Sequence, residues 1–278
     1  MHRLIESENM PTLQFVTAAE NASMNLTERY IEEAVSTNDE GSAWLKTADA
    51  GEALSVWTAH QTQGRGQRGN TWEQEKGLDL AWTLAIKWND GPQHAQPIAF
   101  NKAVSVSLCK TIGHFVAAHD VEYGIKWPND ILLRYRGGPW KKCAGLLIEN
   151  SWKGGRWDGV CIGLGLNANS NHAEASRRCS LRDFTRAYHP LASLASALCG
   201  AAMQAVHADD RAGSYDHCLL GRQRPLRYRH CDQPGTGTIQ RVDENGALIM
   251  HWKPDGGTPG LLKIEHSREL EWDGLWGA

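Results

Sequence analysis

Residues 61–72 read Gln-Thr-Gln-Gly-Arg-Gly-Gln-Arg-Gly-Asn-Thr-Trp, so three glycines (Gly64, Gly66, Gly69) interleave with two arginines (Arg65, Arg68). The stretch follows a run, residues 53–60, in which Leu54, Val56 and Thr58 share one face of a strand. Glycine allows positive φ and lets N–H groups crowd an anion, while the planar arginine fork matches phosphate oxygens. The spacing Gly64-x-Gly66-x-x-Gly69 also spells the dinucleotide fingerprint, which needs a helix to open at the third glycine. Residues 70–77 are polar and lack an apolar face, which argues against that helix and so against a nicotinamide or flavin enzyme. Two readings stay open on the residues alone: an anion-gripping loop and a solvated basic turn.

At 278 residues the chain can build one large domain, or a large and a small one. A net charge of -3 disfavours nucleic acid as the main partner. The seven cysteines (Cys109, Cys143, Cys161, Cys179, Cys199, Cys218, Cys231) form no Cys-x-x-Cys pair, which argues for a reducing compartment and against a structural zinc site. The twelve histidines lack ligand spacing and read as surface or core residues. Residues 1–14 carry no apolar signal core, and no run of about 18 apolar residues occurs. A cytoplasmic protein without a membrane segment is expected.

Along the chain, Asn25 stands three residues before Glu28 in capping-box spacing, and Leu26, Tyr30, Ile31 and Ala34 fall on one helical face. Ser23, Met24 and Asn25 are thus expected at a helix start, where they either cap the helix or point into a pocket. Leu80, Trp82, Leu84 and Ile86 alternate as a strand. Residues 97–116 form a long amphipathic helix, with Ile98, Val104, Leu108, Ile112 and Phe115 on its apolar side. Two β-like segments flank Lys126-Trp127-Pro128-Asn129-Asp130, where the Trp-Pro bond presents Lys126, Asn129 and Asp130 at one strand end. Lys142 stands where a basic connection meets a buried strand, residues 143–149. In a further strand, residues 159–167, Gly163-x-Gly165-x-x-Ala168 imitates the dinucleotide fingerprint, and again a poor helix opening follows. Leu191, Leu194, Ala195, Leu198, Ala202 and Val206 mark one more helix. From about residue 220 short alternating runs broken by glycines, with Asn245-Gly246 as a hairpin signal, predict a small antiparallel β module. The expected domains are residues 1–220 and 221–278.

Four stretches occur in one order: Ser-Met-Asn; Gln-x-x-Gly-Arg-Gly-x-Arg-Gly-x-x-Trp; Lys-Trp-Pro-Asn-Asp; and Lys-x-Ala-Gly-Leu-Leu-Ile-Glu followed by Gly-Leu-Gly-Leu-Asn. Together they closely resemble biotin–protein ligases, which attach biotin to a lysine of a carrier domain. The resemblance implies an α+β fold: a mixed β-sheet flanked by helices, akin to the core of class II aminoacyl-tRNA synthetases, with a C-terminal SH3-like β-barrel. It implies biotin and ATP as substrates with Mg2+, and a biotin carboxyl carrier protein, or the carrier domain of a carboxylase, as partner. By position, Ser23, Met24, Asn25, Gln61, Arg65, Gly66, Gln67 and Lys142 would meet biotin. Gly64, Arg65, Arg68, Trp72, Lys126, Asn129 and Asn167 would meet the nucleotide, and Asp130 a metal. Lys142, Arg65 and Arg68 would be the catalytic cations. Met24 replaces a common threonine, and Gln67 and Asn70 replace common arginines. Only about 22 residues precede Ser23, so the winged-helix domain of some relatives is not expected, nor is DNA binding.

Joining a carboxylate to the α-phosphate of ATP brings two anions together, and the developing charge must meet fixed cations and N–H donors. Lys142 is expected to bridge the two, as a point charge suits a changing geometry. Trp72 either packs on the nucleotide or anchors the loop; Asn129 and Asp130 either position phosphates and metal or only shape the Trp-Pro turn. The competing expectations are a lipoate–protein ligase, a dinucleotide oxidoreductase and a non-catalytic biotin or nucleotide sensor.

Overall fold

The computed structural model describes residues 13–15, 24–92, 96–172, 177–206, 213–222 and 224–276. They form two compact units, each discontinuous in sequence. The first takes the described residues of 1–95, 144–170 and 187–207, and the second those of 96–143, 171–186 and 208–278.

The first unit is built on a mixed sheet. Its strands are β1 (Leu13–Phe15), β2 (Met24–Tyr30), β3 (Glu52–Thr58), β4 (Leu80–Lys87), the 144–153 part of β7 (Lys141–Lys153) and β8 (Arg156–Leu166), in the order β1-β2-β3-β4-β8-β7. Only β2 and β3 run parallel, because α1 (Thr37–Leu45) lies in the connection between them; the other neighbours in this unit are antiparallel. Every residue of β4 except Lys87 is buried. Such a strand must be covered on both faces, and it is. Thr83 and Ala85 face α1, where Leu45, Leu54, Val56, Ala85 and Cys161 form a cluster. Helix α4 (Leu191–Val206) covers the alternate face, on which the Trp82 indole N–H donates to Ser55 Oγ at 2.9 Å.

Residues 24–30 are a strand, not the start of a helix: Met24 and Leu26 are buried while Asn25 and Thr27 are exposed, a period of two. Leu26, Tyr30 and Ala34 matched a helical spacing because a strand and the loop after it happened to be read as one element. Tyr30 is exposed, as a helix face built on it would not allow.

The second unit holds α2 (Pro97–Val116), whose Pro97 opens the helix where no N–H is needed. The hairpin β5 (Val121–Lys126) and β6 (Asp130–Tyr135) pairs Lys126 with Asp130 across a turn containing cis Trp127-Pro128. Short helices α3 (Leu181–Thr185) and α5 (Gly213–Cys218) follow. A five-stranded antiparallel sheet closes the unit: β9 (Leu226–His230), β10 (Gln233–Val242), β11 (Leu248–Pro254), β12 (Gly260–Ile264) and β13 (Leu270–Glu271), in the order β12-β11-β10-β9-β13. The Asn245-Gly246 turn joins β10 to β11 with Gly246 at φ +85, and Gly246 accepts the Trp127 indole N–H at 3.1 Å. Helices α2 and α4 occur with the bounds that their apolar periodicity predicts.

Candidate active site

In the first unit the glycine stretch folds into a small hairpin. Gly66 N–H donates to Asn70 O at 2.7 Å, Trp72 N–H to Gly64 O at 2.8 Å, and Arg65 bridges to Thr71. The tip is the two-residue turn Arg68-Gly69, with Arg68 at φ 58, ψ 37, Gly69 at φ 80, and Asn70 N–H closing onto Gln67 O. Both left-handed positions identify a type I′ turn, which matches strand twist and wants glycine at its second position. No α-helix opens at Gly69, so the dinucleotide geometry is absent from this segment. Gly64 serves a different purpose: an added Cβ would overlap the Trp72 carbonyl and crowd Gln61 Nε2. Gly163 and Gly165 of β8 are likewise close-approach glycines, the first against Asn38 Oδ1 and the second against the Trp72 indole. Trp72 therefore anchors the loop on β8.

The N-terminus of α1 supplies polar groups that periodicity did not reveal. Ser36, Thr37 and Asn38 are all buried, at 3–4% exposure, and make a small-polar helix start of the kind expected at 23–25. Ser36 makes no side-chain cap; Gln61 Oε1 accepts the Thr37 N–H at 2.9 Å instead. The Thr83 hydroxyl donates to Asn38 Oδ1 at 2.7 Å and lies 2.9 Å from the Thr37 hydroxyl. The Asn38 amide donates to Leu147 O at 3.1 Å and to Glu149 Oε2 at 2.7 Å. Glu149 in turn meets the Arg65 guanidinium at 3.3 Å, and Arg65 also pairs with Asp39 at 2.6 Å. A continuous chain of hydrogen bonds thus runs from Gln61 through Thr37, Thr83, Asn38 and Glu149 to the basic loop. Ser36 with Asp39 three residues on was the available signal, a capping-box spacing that the glycine-containing, weakly apolar helix disguised.

Gln67 and Gly66 are half-buried on the hairpin, and Arg68 is exposed at its tip. Asn167 is buried at the exit of β8, where Asp79 Oδ1 accepts the N–H groups of Ala168 and Ser170 at 2.9 and 3.3 Å. Asn25 points to solvent from β2, Met24 is buried on its other face, and Ser23 lies outside the described residues. Cys161 beneath α1 is no nucleophile: burial pushes its thiol up to about 11.

The second unit gathers Lys126, Asn129, Asp130 and Lys142. Asp130 Oδ1 meets Lys142 Nζ at 2.7 Å and its Oδ2 meets Lys126 Nζ at 3.3 Å, with all three side chains at least two-thirds buried. Lys126 also lies 5.7 and 6.0 Å from the rings of Trp272 and Trp276. The Lys142 backbone is pinned by N–H donation to Arg177 O at 2.8 Å and by acceptance from Cys179 N–H at 3.0 Å. Asn129 sits half-buried in the Trp-Pro turn. The boundary between the units falls inside β7, between Cys143 and Ala144.

A family model described as "Biotin/lipoate A/B protein ligase family" matches residues 34–167, a span that starts after residues 23–25 and includes the α1 start, the glycine hairpin, the Trp-Pro turn and Lys142. The bifunctional ligase/repressor BirA of Bacillus spizizenii is 28% identical over 217 residues, 78% of this chain and 58% of that protein. The biotin–[acetyl-CoA-carboxylase] ligase of Paracoccus denitrificans is 35% identical over 134 residues, 48% of this chain and 50% of that protein. The chain thus spans about half the length of the curated relatives it matches. Among solved structures, the biotin protein ligase of Aquifex aeolicus in complex with biotin and ATP shares the fold at a TM-score of 0.61 and 18% identity, over 88% of this chain and 99% of that one. The Leishmania major enzyme in complex with biotinyl-5-AMP does so at 0.56 and 22%, over 84% and 98%. Residues 34–167, just under half of the chain, are thus similar to the biotin/lipoate A/B protein ligase family.

Proposed function

We propose that the protein is an ATP-dependent biotin–protein ligase, which forms biotinoyl-5′-AMP with release of pyrophosphate and then passes biotin to a lysine of a biotin carboxyl carrier domain. The observation that carries this reading is the Glu149 carboxylate, which joins the Asn38 amide to the Arg65 guanidinium. Neutral hydrogen-bonding groups suited to a ureido ring and a cation suited to a carboxylate are thereby linked within one network. Ser36, Thr37 and Asn38, the small polar helix start that lies inside the family match, would meet the biotin ring system.

Arg65 is held by exposed carboxylates, and exposed pairs contribute only about 0–1 kcal/mol, so an arriving anion can draw it away. Lys142 would stabilise charge where carboxylate and α-phosphate meet, with Asp130 orienting its ammonium. Asp130 does not suit a metal, since each oxygen faces a lysine; Mg2+ would arrive on the ATP phosphates. Lys126, Asn129 and Asn167 remain proposed nucleotide contacts, and the glycine hairpin would shield the mixed anhydride from water. Residues 1–220 would form the catalytic domain and 221–278 an SH3-like barrel. No helix among the described residues is long and apolar enough to cross a membrane.

The names of the relatives favour biotin over lipoate. The test is to incubate the protein with MgATP, biotin and a carrier domain and weigh the carrier. One added biotinoyl group, lost with Lys142→Ala, is the expected result. ATP–pyrophosphate exchange supported by lipoate and not by biotin would overturn it.

A further inference from the structure

The β9–β10 turn brings together His230, Cys231 and Glu269, whose ligand atoms all lie within 4.8 Å of one another. His230 Nε2 is 3.6 Å from Cys231 Sγ and 3.9 Å from Glu269 Oε2. Zinc bound tetrahedrally at about 2.0–2.3 Å from N, O and S holds such atoms about 3.4–3.6 Å apart. The His230–Cys231 separation already matches this, the His230–Glu269 separation is slightly longer, and modest side-chain rotation would bring Cys231 and Glu269 onto one ion. We propose that His230, Cys231 and Glu269 form a Zn2+ site, with water at the fourth position.

Three further observations support it. Glu269 Oε1 accepts the His266 N–H at 2.8 Å, which fixes the carboxylate so that Oε2 faces His230. Cys231 N–H donates to Glu269 O at 3.0 Å, and His230 pairs with Leu270 across the sheet, so the ligands are held by backbone as well as by side chains. The two-residue turn is Cys231-Asp232, with φ 47 and 67, left-handed positions that Asn-Gly would fill with less strain. Cysteine at this position sets its thiol beside His230. A thiolate, an imidazole and a carboxylate are a donor set that suits zinc rather than Mg2+ or Ca2+. Sequence spacing could not show the site, because Glu269 comes 38 residues after Cys231 and adjacent His-Cys fits no zinc motif. Bound zinc would tie the β9–β10 turn to β13.

The test uses the full chain stripped with chelator and titrated with Co2+, then Zn2+. Expected are one Co2+ per chain, a sulfur-to-cobalt charge-transfer band with the d–d bands of a four-coordinate ion, and displacement by Zn2+. Cys231→Ala should lose the charge-transfer band, and Glu269→Gln should loosen Co2+ by about tenfold or more. Cys218→Ala should keep both readouts, and circular dichroism should show all variants folded. Absence of stoichiometric binding, or a charge-transfer band that survives Cys231→Ala, would overturn the proposal.

Discussion

Asn38 Oδ1 occupies the space that a Cβ on Gly163 would need. Helix α1 reaches β8 at a point where only a bare Cα fits, and the Asn38 bonds to Thr83, Leu147 and Glu149 depend on that approach. Gly163→Ala should therefore lower stability by about 1–3 kcal/mol, the range for overpacking a filled interior. Urea denaturation checks this, with the midpoint falling at unchanged slope.

Arg65 separates stability from binding. Its partners Asp39 and Glu149 are at least a third exposed, so Arg65→Ala should change folding stability by less than about 1 kcal/mol. Biotin-dependent ATP–pyrophosphate exchange should nevertheless fall by about tenfold or more, because a charge-assisted hydrogen bond contributes roughly 1.5–3 kcal/mol. Loss of stability without loss of exchange would assign Arg65 to the scaffold.

Lys142 and Asp130 should respond differently. Lys142→Ala should reduce exchange about a hundredfold, and Lys142→Arg should not restore it, since a planar fork cannot replace a compact ammonium. Asp130→Asn leaves Lys142 and Lys126 without their shared counter-charge and should lower thermal stability by about 1.5–3 kcal/mol. Parallel melting curves and exchange assays distinguish the two outcomes.

Cys218 should be a reactive thiol near neutral pH. Its hydrogen bond with Cys109, aided by Lys110 and His217 and opposed by burial, lowers it to about 7. The thiolate is the nucleophile, so iodoacetamide labelling of Cys218 should rise as pH increases through about 7 and then level off. Cys199, pushed up to about 12 by burial, should stay unlabelled in the folded protein. Peptide mass mapping across pH reads both.

Where the fold was legible in the sequence, a strong apolar period made it so. Helices α2 and α4 carry unbroken apolar faces, and the Asn245-Gly246 turn declares itself by residue type. Helix α1 was missed because Thr37, Asn38 and Gly41 form its buried side, and polar residues buried against partners carry no hydrophobic signal. The same omission placed the expected small-polar helix start at 23–25, where residues 24–30 form a strand instead. The basic hairpin and Lys142 stand out in the sequence because residue type, rather than burial, suggests their chemistry. The Asp39 and Glu149 partners of Arg65 come from 26 residues before it and 84 after it, a closeness that only the sheet creates.

Gly163 and Gly165 sit two apart on β8, both without side chains where Asn38 and Trp72 press in. Sliding β8 by a single residue would drive Ile162 or Leu164 into those two spaces. Misalignment is thus sterically forbidden at the same two points that seat the α1 start and the basic hairpin. A correctly zipped strand and a correctly assembled recognition surface cannot be obtained one without the other.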